Sequence, residues 1–271
     1  MDQCKNCTQI IYGRYCSACG QKVYTEKDKS VKKLFSEAFH FLTHFEGKFF
    51  TTFKSLYRQP GRLSLDYSNG IRQKYYKPVS FYLLIVVLYL VFPLFGGLNM
   101  EMKLYEKNML TGSFIAHQID QRLSKEKISE EALTEKFKHK SESTSKVLLF
   151  LLIPLTIPGL YMLYFKKSRN LFDNFILSTE LNIFYILTFY VIIPVFVYLF
   201  ILISGIQPGP DAISTFLSFI FIIYLFILFK NVFREKWYWT FLKSVVFAAY
   251  HIAMVTFIYK FIVFEVTFYL I

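Results

Sequence analysis

Four cysteines near the start of the chain have the spacing of a metal site. They are Cys4, Cys7, Cys16 and Cys19, and they are the only cysteines among the 271 residues. Two Cys-x2-Cys pairs present four thiolates, a ligand set that suits the tetrahedral preference of Zn²⁺. Four protein ligands leave no open position for a substrate, so the expected cofactor is one structural zinc ion.

Two alternatives for these cysteines are weaker. Disulfides require export to an oxidising compartment, yet the chain begins without an apolar stretch, so no cleaved signal peptide is expected. A redox pair stays open, although two pairs so close together are better explained by one metal. Few apolar residues surround the cysteines, so we expect metal binding to fold residues 1–24 into a small cytosolic zinc ribbon.

The rest of the chain has the composition of an α-helical membrane protein. Hydrophobic residues make up 54% of the chain and aromatic residues 20%, and they form runs long enough to cross a bilayer. The sequence therefore predicts an all-α polytopic membrane protein with a transmembrane bundle over residues 79–271. The five predicted spans are residues 79–98, 147–165, 175–204, 212–229 and 244–271, and Pro154 and Pro158 are expected to kink the second.

Loop charge predicts the orientation of these spans. The net charge of +12 alone would admit nucleic acid as a partner, but a basic inner face is the simpler explanation, and no nucleic acid is expected. Lysine and arginine concentrate in residues 166–169 and 230–243, whereas residues 205–211 contain neither. We expect a multi-pass protein of a bacterial cytoplasmic (inner) membrane, with a cytosolic N-terminus and an extracytoplasmic C-terminus. Loop 99–145 is then extracytoplasmic, with helices that share an apolar face containing Ile115 and Ile119.

A basic segment, residues 25–78, connects the ribbon to the bundle. Apolar residues recur at helical spacing from Ser30 to Arg58, which predicts an amphipathic interfacial helix that lies either on lipid or on the bundle. A turn at Pro60-Gly61 ends it. The cations of this segment could bind anionic lipid headgroups or only set the orientation. The lipid or anion candidates are Arg58, Arg62, Arg72 and Lys74.

Polar residues inside the spans are the remaining candidates, because their burial in lipid is costly. Asp173, Glu180 and Asn182 fall in the third span, and His251 falls in the fifth. Glu180 and His251 both lie about 12 Å from the cytosolic end of their helices, so they could pair. Such a pair could carry a proton, hold a metal or bind a lipid headgroup, although a structural hydrogen bond between helices is the commoner role.

Several sequence stretches carry a family resemblance. They are Tyr15-Cys16-Ser17-Ala18-Cys19-Gly20-Gln21, Arg58-Gln59-Pro60-Gly61 and Tyr67-Ser68-Asn69-Gly70-Ile71-Arg72-Gln73-Lys74-Tyr75-Tyr76-Lys77-Pro78. The chain resembles an uncharacterised bacterial polytopic membrane protein family, a domain of unknown function with an N-terminal Cys4 zinc ribbon. Histidines that follow an acid at the family's third-span entrance are replaced here by Asn174 and Asn182. The resemblance implies a topology and assigns no activity.

The sequence leaves two functional hypotheses. No nucleophile, phosphate-loop or metalloprotease motif is present, so an enzyme is not favoured. The leading hypothesis is a non-enzymatic inner-membrane scaffold, assembly or regulatory component. It would dock a cytosolic protein partner, a second copy of itself or an anionic lipid through its zinc ribbon and basic helix. The alternative is a transporter of a small solute, ion or lipid that uses the Glu180/His251 level.

Overall fold

A computed structural model of the chain describes residues 3–23, 47–91, 98, 100–167 and 170–271. Within these ranges the chain is largely helical, and its extended pairs are two isolated antiparallel bridges, Gln3 with Ile10 and Tyr15 with Lys22. Four helical rods are long and apolar enough to cross a membrane. The predicted all-α membrane fold with an N-terminal four-cysteine cluster is therefore confirmed.

The helices follow one another along the chain with few long connections. In order, they are α1 Lys48–Arg58, α2 Arg62–Ser68, α3 Pro78–Val91, α4 Met102–Glu106, α5 Gly112–Glu126, α6 Glu130–Leu148, α7 Leu152–Tyr164, α8 Leu171–Ile186, α9 Ile193–Ser204, α10 Pro210–Phe233, α11 Trp237–Ala253 and α12 Lys260–Leu270. Short 3₁₀ or π turns join several of them into continuous rods. These turns are Leu149–Leu151, Phe165–Lys167, Leu187–Ile192 and Met254–Tyr259.

The four candidate spans correspond to the last four predicted from the sequence. They are Glu130–Lys167, Leu171–Ser204, Asp211–Phe233 and Trp237–Leu270. The described part of the predicted first span is the 14-residue α3, and residues 92–97 and 99 lie outside the described ranges. At a rise of about 1.5 Å per residue, α3 covers roughly 21 Å of a hydrocarbon core about 30 Å thick. Among the described residues, four of the five spans are therefore supported.

The bundle has two distinct ends. At one end, which we call the near end, the amide of Asn231 donates to Pro60 O at 2.8 Å, and Lys167 Nζ donates to Phe233 O at 2.8 Å. The four cysteines, α1 and α2 also lie at this end. The opposite, far end carries residues 100–129 and 205–209. The basic segments Lys166–Lys167 and 230–243 therefore lie at the same end as the cysteines.

The second rod is interrupted where its prolines predict a kink. A 3₁₀ turn separates α6 from α7, because Pro154 has no N–H to donate and its ring crowds the preceding turn. Side chains of neighbouring helices donate to carbonyl oxygens around the interruption, which satisfies backbone groups that water cannot reach in a membrane. These bonds are Tyr259 Oη to Ser145 O (3.2 Å), Tyr82 Oη to Leu149 O (2.7 Å), Ser178 Oγ to Ile153 O (2.6 Å) and Tyr250 Oη to Leu155 O (2.7 Å).

The far end is covered by a folded cap, residues 100–145. Helices α4, α5 and α6 enclose a small core that is separate from the bundle core. It contains Ile115 and Ile119 from the predicted apolar face, together with Phe137 of α6 and Phe264 of α12. Helix α6 then continues into α7 as one rod of 38 residues. The helix therefore crosses the predicted boundary between loop and span without a break.

Helix α1, the described part of the predicted amphipathic helix, packs on the bundle. Leu56 is fully buried in the bundle core, and Phe53 packs against the same core. The opposite face exposes Lys54 and Arg58. Residues 24–46, which include the predicted start at Ser30, lie outside the described ranges. For residues 48–58, packing on protein is therefore the arrangement found.

Replacing Gly61 is expected to destabilise the near end. Gly61 has a φ of +83°, and a Cβ there would lie 2.7 Å from Val232 Cγ2 and 3.0 Å from Leu228 O. The left-handed conformation costs a residue with a Cβ roughly 1–2 kcal/mol, and overpacking typically adds about 1–3 kcal/mol. Gly61→Ala should lower the Tm in mild detergent. Gly47→Ala, where a Cβ meets nothing within 4 Å, is the control, and equal Tm values for the two variants would contradict the prediction.

Candidate metal centre and its docking site

The four cysteines converge as their spacing predicts. All four are free thiols, and their sulfur atoms lie within 4.8 Å of one another. The Sγ atoms of Cys4 and Cys19 are 3.7 Å apart, and those of Cys7 and Cys16 are 3.6 Å apart. Four sulfurs placed about 2.3 Å from a central ion in a tetrahedron would be about 3.8 Å apart. The donor set and its spacing therefore fit a tetrahedral metal site.

Two equivalent turns, or knuckles, build this cluster. In the first knuckle, Cys4 N–H donates to Gln9 O and Thr8 N–H donates to Cys4 O, both at 2.8 Å. The equivalent bonds of the second knuckle are Cys16 N–H to Gln21 O and Gly20 N–H to Cys16 O, also at 2.8 Å. Thr8 and Gly20 occupy the same position and have φ values of 65° and 70°. The site is thus a pseudo-symmetric pair of turns that brings two thiols from each side.

The surroundings in the two knuckles lower the pKa of the Cys16 thiol and raise the pKa of the Cys7 thiol. The backbone N–H groups of Cys19 and Ala18 stabilise the Cys16 thiolate and lower its pKa to about 7. The N–H of Gln9 acts in the same sense on Cys7, but desolvation and hydrogen bonds with the other thiols raise its pKa to about 12. Crowded thiols resist a further negative charge. A divalent cation at the centre would offset that repulsion.

The second knuckle is docked on the near end of the bundle through Gln21. The Gln21 side chain is 5% exposed, its Nε2 donates to Gly70 O at 2.5 Å, and its Oε1 accepts from Arg72 N–H at 3.4 Å. Gln73 Nε2 adds a bond to Gly20 O at 3.2 Å. An amide that both donates to and accepts from one backbone turn fixes the orientation of the two parts. The Cys4 module, residues 3–23, is therefore fixed to the turn between α2 and α3.

Other side chains of the Cys4 module are exposed. Gln9, the equivalent of Gln21 in the first knuckle, is exposed. Tyr12 and Tyr15 are 84% and 63% exposed, and Arg14 between them is exposed too. The module is thus bound to the bundle through Gln21 and presents aromatic and basic side chains to solvent.

Glu180 caps α2 from inside the bundle. Its carboxylate is fully buried; Oε1 accepts from Gly61 N–H at 2.8 Å and Oε2 from Ser64 N–H at 2.8 Å, with the Ser64 hydroxyl also donating to Oε2. The first N–H groups of a helix lack partners within it, and a carboxylate there is favoured by charge-assisted hydrogen bonds and the helix dipole. Glu180, a residue of α8, thereby does for α2 what a capping box does within one helix.

His251 has a different partner from Glu180. His251 is fully buried, and its Nε2 lies 3.3 Å from Asn182 Oδ1. The Asn182 amide nitrogen donates to Ser178 O at 2.8 Å and to Thr156 Oγ1 at 3.0 Å. Glu180 and Asn182 are separated by about 200° around α8, so they face different neighbours. Among the described residues the predicted Glu180–His251 pair is therefore replaced by an interhelical Asn182–His251 hydrogen bond.

Asp173 lies in the first turn of α8. Its backbone N–H donates to the side chain of Asn170, the N-cap residue, at 2.8 Å. A carboxylate in that turn is favoured by the helix dipole. Its position therefore has a structural explanation, and a functional role for it stays a prediction.

Three of the four candidate anion-binding cations remain accessible at the near end. Arg58 is exposed at the last turn of α1. Arg62 Nε lies 2.9 Å from Asp66 Oδ1, and Lys74 Nζ lies 3.8 Å from Asp66 Oδ2. The Asp66 carboxylate is buried, whereas both cationic side chains are about half exposed. Asp66 raises the pKa of Arg62 and also accepts from Tyr75 Oη at 2.7 Å.

Arg72, the fourth candidate, is buried. It is 8% exposed, and its guanidinium carbon lies 4.8 Å from the ring centre of Tyr67 and 5.3 Å from that of Phe172. Its Nε donates to Tyr67 O at 3.3 Å. A guanidinium is weakly hydrated and stacks well on aromatic faces, so it can be buried there. An anion-binding role for Arg72 stays a prediction.

Replacing Gln21 is expected to release the Cys4 module from the bundle. Gln21→Ala removes both hydrogen bonds to the turn at Gly70–Arg72, so amide hydrogen exchange over residues 70–73 should rise while metal content is unchanged. Gln9→Ala is the matched control, because Gln9 is the exposed equivalent in the other knuckle. The docking role is refuted if both variants leave the exchange of that turn as in the parent protein.

Replacing Glu180 is expected to loosen α2. In Glu180→Gln one amide N–H group would face the N–H of Gly61 or Ser64, and an unsatisfied buried donor costs roughly 1–3 kcal/mol. Hydrogen exchange over residues 61–68 should therefore accelerate. Glu135→Gln, an exposed acid of α6, should not alter it. Unchanged exchange in Glu180→Gln would show that the carboxylate is not what holds α2.

One segment of the chain near this site matches a known protein family. Residues 46–90 match the model of one family, described as a protein of unknown function (DUF3667). No curated protein and no solved structure matches the chain. The matched segment contains α1, α2 and the turn that Gln21 binds. The chain is therefore similar to that family in the part of the near end on which the Cys4 module docks.

Proposed function

We propose that the chain is a non-enzymatic scaffold of a bacterial inner membrane that presents a zinc-loaded Cys4 module to a cytosolic protein partner. The observation that carries this proposal is the docking of Gln21 on the turn at Gly70–Arg72. It gives the module one orientation relative to the bundle and leaves Tyr12 and Tyr15 exposed. A module on a flexible tether would need no hydrogen bond to the bundle. A module that must offer one surface to a partner benefits from such a bond, because the bond fixes its orientation.

Zinc is the proposed ion because of the ligand set. Thiolate ligands select soft or borderline ions, and four of them in a tetrahedron are typical of structural zinc. The site offers no fifth ligand position, so the proposed role of the ion is to fold residues 3–23. A reducing cytosol would keep the thiols available.

Charge supports the cytosolic placement of the near end. Its acids are largely occupied internally: Asp66 pairs with Arg62, and Glu235 lies 2.8 Å from Lys243 and 3.7 Å from Lys167. The exposed cations therefore leave the end positive, as the inner side of a membrane protein is expected to be. Anionic headgroups are the proposed lipid contacts of these cations. They are Lys54, Arg58, Arg62, Lys74, Lys166, Lys230, Arg234 and Lys236.

The exposed face of the module supports a protein as the partner. Tyrosine and arginine are enriched at the centres of protein interfaces, because they combine a large apolar area with polar groups. Tyr12, Arg14 and Tyr15 provide both and are exposed, and residues 3–23 contain no acid. A partner surface with acidic groups is the complement.

The transporter hypothesis gains no support from the described residues. Glu180 accepts three hydrogen bonds from α2, and His251 bonds to Asn182. Both side chains are fully buried among packed helices. Their arrangement is explained by the stability of the bundle.

The proposed metal can be tested by its content. The purified full-length protein should contain one zinc per chain by inductively coupled plasma mass spectrometry. Cys19→Ser should lose it, because three thiolates bind the ion less tightly, while Ser17→Ala in the same knuckle should retain it. A full complement of zinc in Cys19→Ser would argue against the four-ligand site.

The docking role can be tested by comparative affinity purification in mild detergent. A partner should be recovered with the parent protein and lost with Cys4→Ser, which removes the module's metal. It should also be lost with Tyr12→Ser/Tyr15→Ser, which changes only the exposed face, and retained with Glu135→Gln. Failure to recover any reproducible partner, or its retention by the double tyrosine variant, would defeat the proposal.

A further inference from the structure

Exposed apolar side chains cluster at one corner of the far cap. This corner joins α4 to α5, and the exposed residues are Leu104 (46%), Met109 (92%), Leu110 (66%) and Phe114 (53%). Single exposed apolar residues need no explanation, but a group of them marks an interaction surface. The direction in which this corner faces decides what it contacts.

Helix α5 runs alongside α12 in the same direction. Three contacts between them follow the same order in both helices. From first to last, they are Phe114 with Phe261 (ring centres 6.1 Å apart), Gln118 Nε2 to Glu265 Oε2 (3.4 Å), and Arg122, which donates to Phe268 O and lies 5.0 Å from the Phe268 ring centre. Since α12 leads away from the bundle, the first turn of α5 is the end closest to the membrane. The corner that precedes α5 therefore faces the bilayer.

The rod that contains α12 gives the depth of this corner. It begins at Trp237, and exposed tryptophans at its start are typical of a membrane interface. The hydrocarbon core then begins about one turn after Trp237, and about 20 residues at roughly 1.5 Å each cross its thickness of about 30 Å, so the rod reaches the opposite interface near Phe261. Lys260 Nζ lies 3.3 Å from Met100 Sδ, which places the start of the far cap at the same level.

We infer that the corner of residues 107–114 is an interfacial foot that inserts Met109, Leu110 and Phe114 into the far leaflet of the bilayer. The occupant of this surface is lipid, because Phe114 contacts Phe261 and so extends the surface of the span itself. Exposed Lys107 beside these side chains meets the headgroup phosphates. An element lying in the interface buries its apolar side about 5–10 Å deep. The far cap is thus attached both to α12 and to the lipid.

Spin labelling of the full-length, metal-loaded protein in nanodiscs of phosphatidylethanolamine and phosphatidylglycerol tests this inference. Labels are placed at Met109→Cys and Leu110→Cys, and at Lys125→Cys on the exposed last turn of α5 as the control. The unsubstituted chain is labelled in parallel to measure background from the native cysteines. The readout is the ratio of collisions with molecular oxygen, which concentrates in lipid, to collisions with a water-soluble nickel chelate.

The expected ratio is several-fold higher at Met109 and Leu110 than at Lys125. Ratios at both corner positions equal to that of the control would place the corner in water and overturn the inference. Exclusion of both reagents from the corner would also overturn it, because the covering surface would then be protein. Two labelled corner positions are used so that one poorly folded variant does not decide the result.

Discussion

The hydrogen bonds from α2 to the Glu180 carboxylate are the interaction on which the near end depends. A carboxylate buried in a helical bundle must be paired, and here the donors come from the chain segment just outside the bundle. Pairing therefore holds the turn at Pro60–Gly61 against α10, where only a glycine fits. Helix α2 begins after that turn and contains Asp66, whose carboxylate accepts a hydrogen bond from the Tyr75 hydroxyl. The next turn receives Gln21 of the Cys4 module. A single buried acid thus links the membrane rods to the metal site.

Several other polar residues of the bundle contact its second rod. Prolines in the second rod leave carbonyl oxygens without helical donors, and lipid offers no replacement. Tyr82, Tyr250 and Ser178 donate from neighbouring helices to carbonyl oxygens on either side of Pro154. Asn182 belongs to the same group, because its amide reaches Thr156 in the interrupted rod while its oxygen meets His251. Among the described residues, these polar side chains of the bundle therefore surround the interrupted rod.

The sequence predicted the features that depend on local pattern. Cysteine spacing indicated the metal site, and apolar run length indicated the spans, because ligand geometry and bilayer thickness constrain each directly. The partner of Glu180 could not be predicted, since helical position gives depth but not which neighbour fills a face. Gln21 did have a signal that was missed: Cys4-x2-Cys7-x-Gln9 recurs as Cys16-x2-Cys19-x-Gln21. Charged residues in α6 indicated an exposed helix of the loop that ends before the span, whereas one continuous rod runs from Glu130 to Lys167.

That continuity has a mechanical consequence. The rod Glu130–Lys167 has 38 residues, so at about 1.5 Å per residue it is roughly 57 Å long, nearly twice the hydrocarbon thickness. At one end of this rod Lys167 Nζ donates to Phe233 O at the end of α10, and the other end forms one wall of the far cap. A 3₁₀ turn at Leu149–Leu151 interrupts this rod near its middle. One continuous backbone therefore joins the near-end contact of Lys167 to the wall of the far cap, and that turn is the place where it can bend between the two membrane surfaces.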